Sequence, residues 1–191
     1  MKVLIILGNT REKSNTEAVA RLVGDELSNQ GVEVVYTSLR DKKVQTCVGC
    51  YLCHSVYDSF GCVIDDDVKE IADVALTSDL IVLTSPIYSW MPTPPLKAIM
   101  DRFYAFTKYR GDDESFNLLK KQKFAMIATS GDAVEKNCDL FDEAVRRMAN
   151  FANLPYLGYL AALDQDVRDG MTDTVKSDVK NFAEKCIAAF R

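Results

Sequence analysis

The chain has 191 residues, 48% of them hydrophobic, and 28 acidic against 23 basic side chains give it a net charge of −5 at neutral pH. That length fills one sizeable core and is short for two, and an acidic chain lacks the basic field that nucleic acid or an anionic membrane requires. No apolar run reaches the ~18 residues of a membrane span, and the N-terminal run is interrupted at Gly8 too early for a signal peptide. The expectation is a cytoplasmic protein with neither nucleic-acid nor membrane partners, its six cysteines serving as thiols, metal ligands or redox groups rather than a secreted disulfide framework.

Residues 3–7 form a continuous apolar, β-branched-rich run, the pattern of a strand covered on both faces in a parallel sheet. Gly8 ends it. After a short polar loop, Ser14-Asn15-Thr16 opens a helix to about Asn29, with Ala18, Val19, Leu22, Val23 and Leu27 at helical spacing. The N–H groups of its first turn, with the side chains of Ser14, Asn15 and Thr16, make a positive bowl suited to a phosphate. Ser14-x-x-Glu17 reads equally well as a capping box that satisfies the same donors without a ligand. No Gly-Lys-Ser/Thr follows Gly8, and Thr10 and Lys13 stand where a dinucleotide fingerprint needs glycines. Nucleoside triphosphates and a standard dinucleotide fold are thereby disfavoured.

Gly31 stops the first helix and residues 32–37 form a second strand. Residues 39–61 are a long irregular excursion carrying Cys47, Cys50 and Cys53; loops of that length are uncommon in a compact domain and often functional. Asp65-Asp66-Asp67 caps a second helix to about Leu76. A buried strand over 80–84 empties into the loop 85–93, and Pro94-Pro95 opens a third helix through about Phe106. Residues 124–129 make a fourth strand ending at Ser130-Gly131-Asp132. A helix over 138–150, a weaker strand over 156–161 and an amphipathic helix over 172–190 complete the chain. Five strands alternating with five helices imply an α/β three-layer sandwich, one domain over 1–191 with a parallel sheet and helices on both faces.

Ligands of such sheets sit at the carboxyl ends of the strands where the strand order reverses. Three loops qualify: residues 8–16, an anion bowl; 85–93, carrying Tyr88, Trp90 and Met91; and 129–132, with backbone donors beside Gly131. A phosphate site, a flat apolar wall and donors for a heteroaromatic edge together suit a mononucleotide with a large ring system, and flavin mononucleotide (FMN) fits best. Tyr88 and Trp90 taken singly read rather as ordinary packing or a subunit interface.

Leu7-Gly8-Asn9-Thr10-Arg11 with Ser14-Asn15-Thr16, Cys47-Val48-Gly49-Cys50-Tyr51-Leu52-Cys53 with Gly61-Cys62, Asp66-Asp67, Ser85-Pro86-Ile87-Tyr88 and Leu96-Lys97-x-x-x-Asp101-Arg102 follow one another in order. Together they resemble the flavodoxin-like NAD(P)H-dependent FMN reductase family, its iron–sulfur flavoprotein and multimeric flavodoxin-type branch, from Met1 to about Asp132. The resemblance implies a strand order of 2-1-3-4-5 and bound FMN. It places the phosphate loop on Thr10, Arg11, Ser14, Asn15 and Thr16, the isoalloxazine loop on Pro86, Ile87, Tyr88, Ser89 and Trp90, and the third loop on Thr129, Ser130, Gly131 and Asp132. Asn9 departs from the family, where a Ser commonly follows the glycine. The family chemistry implied is hydride transfer from NAD(P)H to the flavin and onward transfer to a quinone, flavin or similar small-molecule acceptor, with no residue assigned as a general acid or base. A homodimer or homotetramer is implied too, with Phe103, Tyr104, Phe106 and Tyr109 divided between core and interface.

Cys47, Cys50, Cys53 and Cys62 supply the four thiolates that a [4Fe–4S] cluster needs, although eight residues separate the last two. Free or disulfide-forming thiols beside the flavin are the leading reading of these residues, the cluster the next and a zinc site the last. A cluster would make the protein an iron–sulfur flavoprotein electron carrier; a non-catalytic nucleotide-binding module on the same scaffold is the remaining alternative. Cys138 and Cys186 fall on apolar helix faces and read as core. His54 reads as an exposed loop residue beside Cys53, and Asp101-Arg102 either as an ion pair shaping the second loop or as a solvated face. No arginine cluster is dedicated to a 2′-phosphate, so NADH and NADPH are not distinguished.

Overall fold

The computed structural model describes residues 1–111, 114–168 and 170–191. In chain order its elements are β1 (Lys2–Leu7), α1 (Asn15–Ser28), β2 (Glu33–Ser38), α2 (Val68–Thr77), β3 (Leu80–Pro86), α3 (Pro94–Arg102), β4 (Thr107–Arg110), β5 (Glu114–Asn117), β6 (Lys123–Ser130), α4 (Val134–Asn137), α5 (Asp139–Phe151), β7 (Tyr156–Leu163), α6 (Asp164–Arg168) and α7 (Asp173–Ala188). Short 3-10 turns occupy Leu39–Asp41, Leu52–Ser55 and Phe103–Phe106.

The main sheet runs β2-β1-β3-β6-β7, every neighbouring pair parallel. Counting the strands of this sheet alone, the order is the expected 2-1-3-4-5. Alternation of side chains across the pleat explains why the strands are apolar throughout. Leu4, Ile6, Ile81, Leu83 and Met126 enter a core with α2, α3 and α5, whereas Val3, Ile5, Leu7, Val82 and Ile127 enter a second core with α1 and α7. Cys138 and Cys186 are buried, one in each core.

Gly8 marks the tight end of β1. Its N–H donates to the Thr84 carbonyl at 2.8 Å, and a Cβ there would stand 2.5 Å from that oxygen and 3.0 Å from the Leu96 Cβ. Only a residue without a side chain lets the first loop leave the sheet so close to β3 and α3.

The structure departs from expectation after α3. The helix stops at Arg102, the chain tightens through Phe103–Phe106, and β4 and β5 pair as a separate antiparallel hairpin. Each arm is four residues long, too short to leave a period-two signal in the sequence. Single-turn α4 and α6 were likewise invisible to helical periodicity. Phe103 and Phe106 are buried, whereas Tyr104 is exposed and Tyr109 half-buried.

Candidate functional site

Three loops meet at the carboxyl end of the sheet. Thr16 and Thr129 share a hydroxyl–hydroxyl hydrogen bond of 2.6 Å, joining the first loop to the third. The Ile87 N–H donates to the Thr129 carbonyl at 2.9 Å, joining the second to the third. Thr93 donates its hydroxyl hydrogen to the Gly8 carbonyl, closing the ring between the second and first.

Ser14 caps α1 from extended backbone, its Oγ accepting from the Glu17 N–H at 3.4 Å. The other half of a capping box is replaced. The Glu17 carboxylate accepts from Asn9 Nδ2 at 2.9 Å and from Arg21 at 2.9 and 2.6 Å. Asn9 Nδ2 also donates to the Arg11 carbonyl at 2.8 Å, and Arg40 reaches the same carbonyl at 3.0 Å. Asn9 is 1% exposed, and its Oδ1 has no partner. That orphaned acceptor needs a donor, which a hydroxyl-bearing ligand entering the bowl would supply. Thr10 and Arg11 are exposed. The Asn15 amide is turned onto Asp164, donating to its Oδ1 at 2.7 Å and its carbonyl at 3.0 Å, so this residue has only its backbone N–H to offer the bowl.

The second loop is a two-residue hairpin. Tyr88 and Met91 exchange both backbone hydrogen bonds, at 2.9 and 3.1 Å, around Ser89 (φ +49°) and Trp90 (φ +66°). Two successive left-handed residues are the requirement of a type I′ turn, which glycine or asparagine meets without strain. A serine and a tryptophan there store roughly 1–2 kcal/mol each. Trp90 is 54% and Tyr88 44% exposed, so the hairpin presents two aromatic rings at the surface. Pro86 pairs with Thr129 in the sheet register. In the third loop the Ser130 hydroxyl donates to the Asp132 carbonyl and Asp132 Oδ1 accepts from the Ala133 N–H, leaving Gly131 and Asp132 at the surface.

The cysteine segment lies on the α2–α3 side of the sheet. Cys47 and Cys50 are exposed, Cys53 and Cys62 half-buried, all free thiols. All four line one small cavity of about 40 Å³ together with His54, Asp101, Arg102 and Tyr104. Among the described residues no three His, Cys, Asp or Glu groups stand close enough to grip a single metal ion. A cubane makes a different demand, spreading four thiolates over four irons.

Two buried cations flank this cavity. Arg102, 1% exposed, is held by Asp66 at 2.9 and 3.1 Å and donates to the Gln45 carbonyl at 3.1 Å. Its Nε has no partner, and Cys62 stands near enough to favour its charge. A buried donor without an acceptor is open to an anionic partner. Lys108, 0% exposed, donates to the carbonyls of Cys53 at 2.9 Å and Phe60 at 3.1 Å. Burial pushes the Cys53 thiol up, with Cys62 adding to the shift and Lys108 opposing it.

Of the two readings of Asp101-Arg102, the ion pair between them does not form, and Asp101 lies on the solvated face. One turn of helix places Lys97 beside Asp101, at 2.6 Å, whereas Arg102 points inward to Asp66. His54 is half-buried rather than exposed, packed against Tyr51, Tyr104 and Tyr109 with ring centroids 5.3, 4.9 and 4.6 Å away. Burial, then Lys108, lowers its pKa. Asp66 and Lys108 leave no local pattern that marks them as members of the cysteine site, because each joins it through a contact across dozens of residues.

A doubly wound parallel sheet with three loops converging at the carboxyl ends of β1, β3 and β6 defines a flavodoxin-like α/β protein. The chain belongs to the NADPH-dependent FMN reductase family, whose model matches residues 1–141. An iron-sulfur flavoprotein of Methanocaldococcus jannaschii is 36% identical over 102 residues, covering 53% of this chain and 51% of that protein. One of Archaeoglobus fulgidus is 32% identical over 106 residues, covering 56% and 47%. The chain thus spans about half the length of these curated relatives. In fold it is similar to an FMN-dependent NADH-azoreductase from Bacillus anthracis solved with FMN (18% identity, TM-score 0.67, covering 99% of this chain and 98% of that one). It is also similar to an NAD(P)H:quinone oxidoreductase from Methanothermobacter marburgensis (15% identity, TM-score 0.67, 96% of each).

Proposed function

We propose that the protein is an FMN-dependent NAD(P)H oxidoreductase that delivers electrons to a quinone, flavin or similar small acceptor. The observation that carries this reading is the convergence of the three loops, tied together through Thr16, Thr93 and Thr129 around the N-terminus of α1. FMN, when bound, supplies the hydride and electron chemistry, so no acid, base or nucleophile is required of the chain. What the chain supplies is position. Thr10, Arg11, Ser14, the Asn15 N–H and Thr16 would hold the phosphate; Pro86 to Trp90 and Thr129 to Asp132 would frame the ring and offer it backbone donors. Tyr88 and Trp90, held at the rim, would limit water and select flat acceptors. A homodimer or homotetramer belongs to the proposal, supported by the exposed Tyr51, Tyr104 and Phe151, which line a groove of about 480 Å³. No helix among the described residues is long and apolar enough to cross a membrane; a cytoplasmic location is part of the same proposal.

A second reading is favoured by the shared cavity of Cys47, Cys50, Cys53 and Cys62, by the unpartnered Arg102 Nε, and by relatives named iron-sulfur flavoproteins. In it these cysteines hold a [4Fe–4S] cluster and the protein carries electrons between partners. Protein purified without oxygen decides between the two by its visible spectrum with iron and sulfide assays. Flavin bands with steady NAD(P)H consumption and no iron support the reductase, whereas flavin with about four iron and four sulfide per chain supports the carrier. Protein that stays colourless after FMN is added overturns both and leaves a non-catalytic module.

A further inference from the structure

The eight residues between Cys53 and Cys62 make that cysteine spacing looser than the tight run Cys47–Cys53, and something must fold the spacer back if all four thiols are to share a cavity. Lys108 is placed to do this. It lies on β4, outside the cysteine segment, and is fully buried, a costly position for an ammonium without dedicated partners. Its Nζ grips the Cys53 carbonyl at 2.9 Å and the Phe60 carbonyl at 3.1 Å, the two ends of the spacer. Directly after Phe60, Gly61 turns with φ +67° against Val56, where a Cβ would stand 2.5 Å from the Val56 Cβ; the chain then delivers Cys62. Farther out, Arg102 binds the Gln45 carbonyl and Asp66, and Asp66 accepts from the Gln45 N–H at 2.8 Å, which fastens the two outer ends of the segment.

We propose that Lys108 is the positioning residue of the cysteine cavity: by holding the carbonyls of Cys53 and Phe60 on one Nζ, it closes the spacer and brings Cys62 to the cavity lined by Cys47, Cys50 and Cys53. The proposal rests on the reading that the four cysteines act as one centre. It differs from a general packing role in that arginine, which retains a buried cationic donor, is expected to rescue it.

The test compares wild type with Lys108→Met and Lys108→Arg, the fold of each checked by circular dichroism. Each is incubated with ferrous iron and sulfide without oxygen, and FMN affinity is measured in parallel. Wild type is expected to take up iron, Lys108→Met to hold at least tenfold less while its FMN affinity stays within twofold, and Lys108→Arg to recover more than half. Equal loading of Lys108→Met and wild type overturns the proposal, as does a loss that arginine does not rescue. Wild type that takes up no iron defeats the cluster reading alone, and Lys108 is then judged by thiol pairing. Diamide joins neighbouring thiols: one S–S bond forms, two S–H bonds break, and the reagent's N=N bond takes up the two electrons and two protons. Peptide mapping is then expected to show a Cys53–Cys62 disulfide in wild type and Lys108→Arg, at a yield at least tenfold lower in Lys108→Met; equal yields overturn the proposal. Should Lys108→Met not fold, Lys108→Gln, which keeps an amide donor for one carbonyl, is read against the same thresholds.

Discussion

Removing the Asp66 carboxylate tests how the cysteine segment is anchored. Its Oδ2 accepts from Arg102 at 2.9 Å and from the Gln45 N–H at 2.8 Å, and its Oδ1 from Arg102 at 3.1 Å and the Val68 N–H at 3.2 Å. Both side chains are almost fully enclosed. Asp66→Ala leaves a guanidinium buried without its counter-ion, which costs about 3–5 kcal/mol in such settings, and strips a helix-start contact from α2. For a domain of this size, about 2–4 °C of melting temperature accompanies each kcal/mol, so thermal unfolding followed by circular dichroism should show a fall of roughly 6–20 °C. Arg102→Met should cost less, because Asp66 keeps its two backbone donors, and the double variant should be less destabilised than the sum of the two. The pH dependence has a definite sign. Burial alone would raise the Asp66 pKa, but Arg102 and the N–H groups of Gln45 and Val68 outweigh it and hold the carboxyl below its usual value. The stability this contributes is present above the ordinary aspartate pKa of ~3.9 and lost as pH falls through the depressed one. Wild type should therefore lose melting temperature below about pH 4 more steeply than Asp66→Asn. A cost for Asp66→Ala under about 1 kcal/mol, the scale of an exposed pair, would refute the reasoning.

Ser14→Ala with Thr16→Ala should weaken FMN binding, read by quenching of flavin fluorescence, alongside a stability loss of ~1 kcal/mol for the cap and a comparable ~1 kcal/mol for the Thr16–Thr129 hydrogen bond; unchanged affinity would remove the bowl from the phosphate site. Trp90→Gly relieves a left-handed φ of +66° and should leave stability level or raise it by about 0.5–1 kcal/mol, while changing the ranking of quinone and flavin acceptors in steady-state turnover. Gly8→Ala drives a Cβ to 2.5 Å from the Thr84 carbonyl oxygen and should cost about 1–3 kcal/mol in chemical denaturation; a neutral result would mean that β1 and β3 separate freely at that end.

What the sequence disclosed and what it withheld divide along a physical line. Strands such as Val3 to Leu7 announce themselves because both faces are buried, and α1 because its apolar residues recur with the turn of a helix. The three loops could be placed because a parallel sheet puts ligand-facing turns after its strands. The hairpin of β4 and β5 was hidden by its short arms. Asp66, Arg102 and Lys108 were hidden for another reason: each is a charged residue whose partner lies 36 to 57 positions away, and local patterns treat such residues as solvated. Asn15 shows the same limit at finer scale, since its amide is claimed by Asp164, 149 residues distant.

The turn at Ser89 and Trp90 has an entropic consequence. Reciprocal hydrogen bonds between Tyr88 and Met91 seal it on both sides, so the indole rides on a stiff bracket instead of a swinging tether. The backbone freedom that such a loop would surrender on meeting a ligand has already been given up during folding. Were an acceptor to dock against Trp90, as proposed, it would meet a backbone turn formed in advance, and discrimination among acceptors there would depend on their shape more than on rearrangement of the loop.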